Sequence, residues 1–160
     1  MGILQKILRH LLLGALAVCL AACESKQDLM DHMEAIEGEY RLVQVGPEGF
    51  DFFNILSEDE RSLATARVFS HERKWVIEYS LPLLTILRYS SSVQEYSIRY
   101  HQIRQYVIWD RQLGQYLFSN LKQDDMPGDG FNPDLIRLYL DGTTFSFHNK
   151  NLKVSWTKNR

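Results

Sequence analysis

The run Ile136-Arg137-Leu138-Tyr139-Leu140-Asp141-Gly142-Thr143-Thr144-Phe145-Ser146-Phe147-His148-Asn149-Lys150-Asn151-Leu152-Lys153-Val154-Ser155-Trp156 decides the fold. Its apolar residues recur at every second position, which is the period of a strand with one face in a core. Asp141-Gly142 is a hairpin signal of type I′, because both central positions of that turn need φ above zero. Pairing outward from it sets Leu140 against Thr143, Leu138 against Phe145 and Ile136 against Phe147. A second turn at Asn149-Lys150 then sets Phe147 against Leu152, Phe145 against Val154 and Thr143 against Trp156. Both turns put the same residues on the same face, and a slip of one residue would destroy that agreement. The reading is an antiparallel meander of three strands with one apolar face.

The same signals extend upstream. Ala64 to Ser70 and Lys74 to Ser80 read as a hairpin around His71-Glu72-Arg73, with Trp75, Ile77 and Tyr79 on one face. Pro82 punctuates the apolar run Leu81 to Leu87, since proline interrupts a strand ladder. Val93 to Arg99 and Gln102 to Trp109 read as two further strands, rich in β-branched and aromatic residues. Asp110 to Gly114 turns the chain into Gln115 to Leu121. Glu39 to Val45 is the first strand, followed by the turn cluster Gly46-Pro47-Glu48-Gly49. Ser57-Glu58-Asp59-Glu60 fits a capping box and marks a short helical turn. Before Gly38, Leu29, Met33 and Ile36 recur at helical spacing, so Asp28 to Ile36 reads as a short amphipathic helix. Short strands, regular turns and no βαβ spacing give an all-β chain: a small antiparallel β-barrel or strongly curved sheet with a short N-terminal helix. Gly38-Glu39-Tyr40-Arg41-Leu42-Val43, followed by a string of strands ending in the one that bears Trp156, loosely resembles the small lipocalin-like barrels.

The N-terminus carries an address. Lys6 and Arg9 are followed by the apolar stretch Leu11 to Leu20, the layout of a secretory signal. Leu11 to Ala22 is shorter than the roughly 20 apolar residues that span a bilayer. Leu20-Ala21-Ala22-Cys23 resembles the lipobox of bacterial lipoproteins. That resemblance implies a diacylglyceryl group on the Cys23 thiol, cleavage before Cys23 and acylation of the new amine. It divides the chain into a signal peptide at 1–22, a lipidated tether with the start of the helix at 23–33, and one β-rich domain at 34–160. Two or more acyl chains hold a protein stably at a membrane where one does not. Glu24, where Asp would retain the protein at the inner membrane, implies the periplasmic face of the outer membrane; the inner membrane and the cell surface are the alternatives.

Loss of Lys6 and Arg9 would take the formal charge from −2 to −4 for the processed chain. A basic nucleic-acid footprint is absent, so no nucleic-acid partner is expected. Of the two cysteines, Cys19 leaves with the signal and Cys23 is consumed by lipid, so the domain holds itself together without a disulfide. Every Trp, Tyr and Phe lies beyond residue 22 and supplies that core.

No motif names a reaction. There is no Gly-x-Ser-x-Gly elbow and no phosphate-cradling Gly-Lys-Ser/Thr loop. His71, His101 and His148 are far apart, without a His-Glu-x-x-His or Cys-x-x-Cys pattern, and read as surface histidines. Asp124, Asp125, Asp129, Asn132 and Asp134 alternate with Gly128 and Gly130, but the spacing differs from an EF-hand loop and reads as a solvated acidic loop. No metal, cofactor or catalytic residue is therefore expected. Aromatic stripes remain: Tyr96, Ile98 and Tyr100 on one strand face, Tyr106 and Ile108 on the next. Inward stripes of a small barrel can enclose one ligand, so these five are the candidate lining of an apolar site. The expected function is non-catalytic: binding a small apolar ligand or a protein partner at the envelope. An envelope hydrolase, or an inhibitor of a cell-wall lytic enzyme, is the alternative.

Overall fold

A computed structural model of the chain describes residues 26–46, 51–89, 94–119, 136–149 and 152–160. Cys23 and the acidic loop at 123–134 lie outside these residues. The chain divides into two compact units, Met1–Ala35 and Ile36–Arg160. Residues 26–36 are helical and form α1, which includes the expected Asp28 to Ile36. Pairs one turn apart support it: Gln27 Nε2 donates to Asp31 Oδ1 at 2.8 Å, and His32 stands 3.5 Å from Asp28.

Among its described residues the second unit is an eight-stranded antiparallel barrel, nearly closed, with a lipocalin-like course. The strands are β1 (Gly38–Gly46), β2 (Ala66–His71), β3 (Lys74–Tyr89), β4 (Gln94–Asp110), β5 (Gln115–Phe118), β6 (Arg137–Leu140), β7 (Thr144–Asn149) and β8 (Leu152–Lys158). Their order in the sheet is β5-β4-β3-β2-β1-β8-β7-β6. Nearly every strand therefore pairs with its neighbour in sequence, and β1 pairs with β8 to bring the two halves together. The seam lies between β5 and β6, which approach each other without forming a ladder. Across that region Phe118 of β5 lies 6.2 Å from the Phe145 ring of β7.

A cluster of aromatic rings lies in the interior. Phe145 stacks on Trp156 at 5.0 Å, and Tyr79 meets both edge-on at 4.9 and 6.0 Å. Offset and edge-on contacts of this kind match the charge distribution of aromatic rings. The polar atoms of the cluster are satisfied, as buried polar atoms must be. Trp156 Nε1 donates to the Ala64 carbonyl at 2.8 Å, and the Tyr79 hydroxyl donates to Gln105 Oε1 at 3.0 Å. Gln105 Nε2 donates onward to the Ser119 carbonyl at 3.1 Å. Burial drives the Tyr79 hydroxyl far above the ordinary tyrosine range, so it stays protonated and donates.

The C-terminal meander keeps its expected faces and changes its partners. Leu140 stands opposite Phe145 and Leu138 opposite Phe147, while Phe145 faces Trp156 and Phe147 faces Val154. Each pairing is two residues from the expected one. In the first hairpin the cause is the turn at Asp141, whose carboxylate accepts from the backbone N–H of Thr143 and Thr144 and from the Thr143 hydroxyl; in the second, Asn149 pairs with Leu152, so the turn comes one residue later than expected. The residues from Asp141 to Thr144 are thereby gathered into a four-residue turn, with Gly142 at φ +90°. A shift of two preserves every face, because the side-chain period is two. On the outer face Ser146 and Ser155 are also buried, and their hydroxyls share a hydrogen bond of 3.0 Å.

Two expected breaks are not there. Of the two expected strands Val93 to Arg99 and Gln102 to Trp109, the described residues from Gln94 onward belong to one strand, β4, and β3 runs straight through Pro82. The sheet explains the proline. β2 pairs with β3 only from Lys74 to Tyr79, and Ser80 N–H points towards that side, to the Thr65 carbonyl. Pro82, two residues on, has its nitrogen towards the same side, where no strand follows, so it costs no ladder bond. The hairpin between β2 and β3 is the expected one. His71 pairs with Lys74, and Glu72 and Arg73 take φ +49° and +64°, as a two-residue type I′ turn requires.

Candidate binding groove

The sheet parts at one place. β1 pairs with β2 only through Gly38, Glu39 and Tyr40; from Arg41 onward its described partner is β8 alone. The chain between β1 and β2 fills the opening, and residues 51–65 carry the short helix α2 (Glu58–Leu63). Its start is fixed by sequence. Ser57 Oγ accepts from Glu60 N–H, and Glu60 Oε2 accepts from the Ser57 N–H at 2.8 Å, a reciprocal capping box. Glu58, Asp59 and Glu60 in the first turn also favour the positive end of the helix dipole.

Hydrogen bonds from four strands hold this segment. Phe52 N–H donates to the Val45 carbonyl of β1, and Thr65 accepts from Ser80 of β3. Ala64 accepts from Trp156 of β8. From β4, the Tyr96 hydroxyl donates to Glu60 Oε2 at 3.0 Å, and the Tyr100 hydroxyl to the Glu60 carbonyl at 2.5 Å. Glu60 is the hub of these bonds. The Ser57 N–H, with smaller help from the Ser57 and Tyr96 hydroxyls, holds its carboxyl below the usual glutamate range against a modest burial effect. Burial, then the neighbouring Glu60 charge, pushes the Tyr100 hydroxyl up to about 12.

Between α2 and the parted strands lies a groove of about 710 Å³, partly open to solvent. Glu39 and Arg41 of β1, Glu58 and Arg61 of α2, and Arg67 and Glu78 of β2 and β3 are among the residues that line it. Arg41 and Asn159 also line a second groove of about 560 Å³ beside Lys158 and Arg160, so the two share a wall. Glu78 is already neutralised, at 3.2 Å from Arg67 and 3.4 Å from Arg104. The Arg61 guanidinium carbon sits 4.4 Å from the centre of the Phe53 ring, and its Nε is shielded from solvent without a hydrogen-bond partner. A preorganised guanidinium of this kind suits carboxylate or backbone carbonyl groups on a partner. The alternating charges suit a polar polypeptide surface more than an apolar molecule.

The five aromatic and aliphatic candidates lie elsewhere. Tyr96, Ile98, Tyr100, Tyr106 and Ile108 share one face of β4, opposite Ile103, Gln105 and Val107, which are buried. Tyr96 and Tyr100 bind α2, while Tyr106 and Ile108 are 47% and 58% exposed. The stripe therefore does not line the barrel interior. Both faces of β4 carry aromatic or β-branched residues, and the polar Gln105 on the inner face disguises which one is inside. His71, His101 and His148 lie on three different strands. His148 packs on Tyr139 at 5.0 Å, and His71 stands 3.8 Å from Glu72. Among the described residues no three His, Cys, Asp or Glu side chains converge on a point that could hold a metal ion. The groove residues carry no sequence motif; the capping box that positions Arg61 is the one local signal that points to them.

No protein-family model matches the chain, and no curated protein or solved structure matches it significantly.

Proposed function

We propose that the chain is a bacterial envelope lipoprotein, anchored through acyl groups on Cys23 at the periplasmic face of the outer membrane, whose barrel is a non-catalytic binding module. It engages a protein partner from outside, through the groove between β1 and α2. The observation that carries this reading is the stack of Tyr79, Phe145 and Trp156 inside the barrel, set against a groove of about 710 Å³ outside it. A barrel that encloses a ligand leaves its inward side chains short of the axis. Here three rings meet one another in the interior. The lipobox supports the anchor, and the acidic balance of the processed chain supports a partner other than nucleic acid.

A photo-crosslinking residue at Thr65, in the groove, tests the partner in intact cells. One adduct of defined mass is expected, and Arg61→Glu should abolish it. Intact mass gives the anchor independently: acyl mass on the wild-type chain and none on Cys23→Ser. An environment-sensitive dye that binds the folded protein and is displaced by fatty acid, with no adduct at Thr65, would replace this reading with an apolar ligand.

A further inference from the structure

The chain enters the barrel at Gly38, and this end carries the β2–β3, β4–β5 and β6–β7 turns. Beside the first two turns lies an apolar flank. Leu113 of the β4–β5 turn is 63% exposed, and Ile108 and Tyr106 follow it on the outer face of β4. Isolated exposed apolar residues need no explanation, but neighbouring ones with a cationic border do. The border here is Arg73 and Lys74 on one turn and Arg111 on the other. Lys74 Nζ sits 4.9 Å over the Tyr106 ring, an aliphatic stem on an aromatic face with its charge at the edge. Two acids accompany them. The Asp110 carboxylate is taken up by the N–H groups of Gln112 and Leu113, and Glu72 stands beside His71. Tyrosine and aliphatic residues fringed by Lys and Arg are the composition that settles at a bilayer surface, rings among the headgroups and cations on anionic phosphates.

The chain's own connectivity keeps the barrel close to the membrane. From Cys23 to Gly38 there are three residues, the eleven residues of α1, and a short link. A helix of that length spans about 16 Å, so the anchor lies within about 35 Å of Gly38 whatever course the link takes. The α2 end is remote from these turns: Tyr100, which binds α2, stands ten residues before Asp110, about 33 Å along an extended strand.

We infer that the flank formed by Tyr106, Ile108 and Leu113, with Arg73, Lys74 and Arg111, is a bilayer-docking surface for anionic phospholipid, which turns the α2 groove away from the membrane. This rests on the lipid anchor proposed above. The domain has no cysteine of its own, so one introduced thiol is a unique label site. Leu113→Cys, and Asp59→Cys in α2 as the remote control, would each carry an environment-sensitive fluorophore on the full acylated chain. Each is reconstituted in phosphatidylethanolamine–phosphatidylglycerol vesicles with brominated acyl chains, and read on the floated fraction. The label at position 113 should shift to the blue and lose most of its emission, and the label at 59 should change little. Loss of the position 113 effect when Arg73, Lys74 and Arg111 are all changed to Glu would assign the docking to charge as well as apolar contact. An unquenched label at 113 on acylated, floated protein overturns the docking surface and leaves the anchor standing. Equal quenching at both positions overturns the orientation. A chain without acyl mass overturns the anchor and the inference with it.

Discussion

The C-terminal meander and the β3–β4 hairpin are both antiparallel, yet they are held in different ways. In the meander, four-to-seven-residue strands bury Phe145, Phe147, Val154 and Trp156 completely. Its register is dictated by apolar area, where each fully buried side chain contributes roughly 1.5–3 kcal/mol. The hairpin strands are 16 and 17 residues long. The first half of β3 and the second half of β4 join the core through Ile77, Tyr79, Ile103 and Val107. Beyond Ser80, β3 has lost β2, and the hairpin is instead fastened to α2 by the hydroxyls of Tyr96 and Tyr100. Hydrogen bonds of this kind contribute about 0.5–1.5 kcal/mol each. The lesson is that one sheet can contain a region fixed by packing and another fixed by a few directional bonds, and the second is the one that shapes the groove.

The largest break in this comparison comes from the meander. Phe145→Ala should cost roughly 3–5 kcal/mol, since the ring touches Tyr79, Trp156 and Phe118 and its removal leaves a cavity. Denaturant melts measure it, and a loss near that of a surface change would mean the rings do not form the core.

A smaller pair of effects sharpens the two faces of β4. Val107→Ala, inside, should cost at least about 1.5 kcal/mol from lost burial alone. Ile108→Ser, one residue on and facing outward, should stay within about 0.5 kcal/mol. Equal losses would place both faces in contact with packed structure.

The smallest effects belong to the tyrosine bonds. Tyr100→Phe should cost about 0.5–1.5 kcal/mol and speed hydrogen exchange in α2 while sparing the meander. These bonds also carry a pH signature. The Glu60 carboxyl is held below its ordinary value in the folded protein, so the unfolded chain binds a proton first as pH falls. The stabilisation is whole above the unfolded glutamate value of about 4.3 and is lost as pH drops through the folded one. The stability difference between wild type and Glu60→Gln, present at neutral pH, should shrink over that window and close below it. A difference that stays constant with pH would remove Glu60's charge from the account.

Much of the fold was legible one residue at a time. Period-two alternation, the tight turn after His71 and the Ser57–Glu60 capping box are local signals that the antiparallel barrel has in place, whereas the expected type I′ turn at Asp141-Gly142 is replaced: Gly142 alone of the pair takes φ above zero, and Leu140 pairs with Phe145. The faces of the meander were readable because a period of two survives any even shift. Its partners were not, because the Asp141 carboxylate reshapes the first turn by bonds that composition does not announce, and the second turn comes one residue later, with Asn149 paired to Leu152. The groove was illegible for a related reason. Arg41, Arg61 and Arg67 are ordinary charged residues until the parting of β1 from β2 brings three separate segments to one place.

The sequence by itself determined the class of the fold, the inward faces of the C-terminal strands and the start of α2, since each follows from the conformational preferences of neighbouring residues. Only the tertiary structure decided which face of β4 is inside, that β3 passes through Pro82, and where charged side chains converge. Those outcomes depend on which strand lies beside which. Strand neighbours are chosen by total burial over the whole barrel, a quantity that no window of sequence contains.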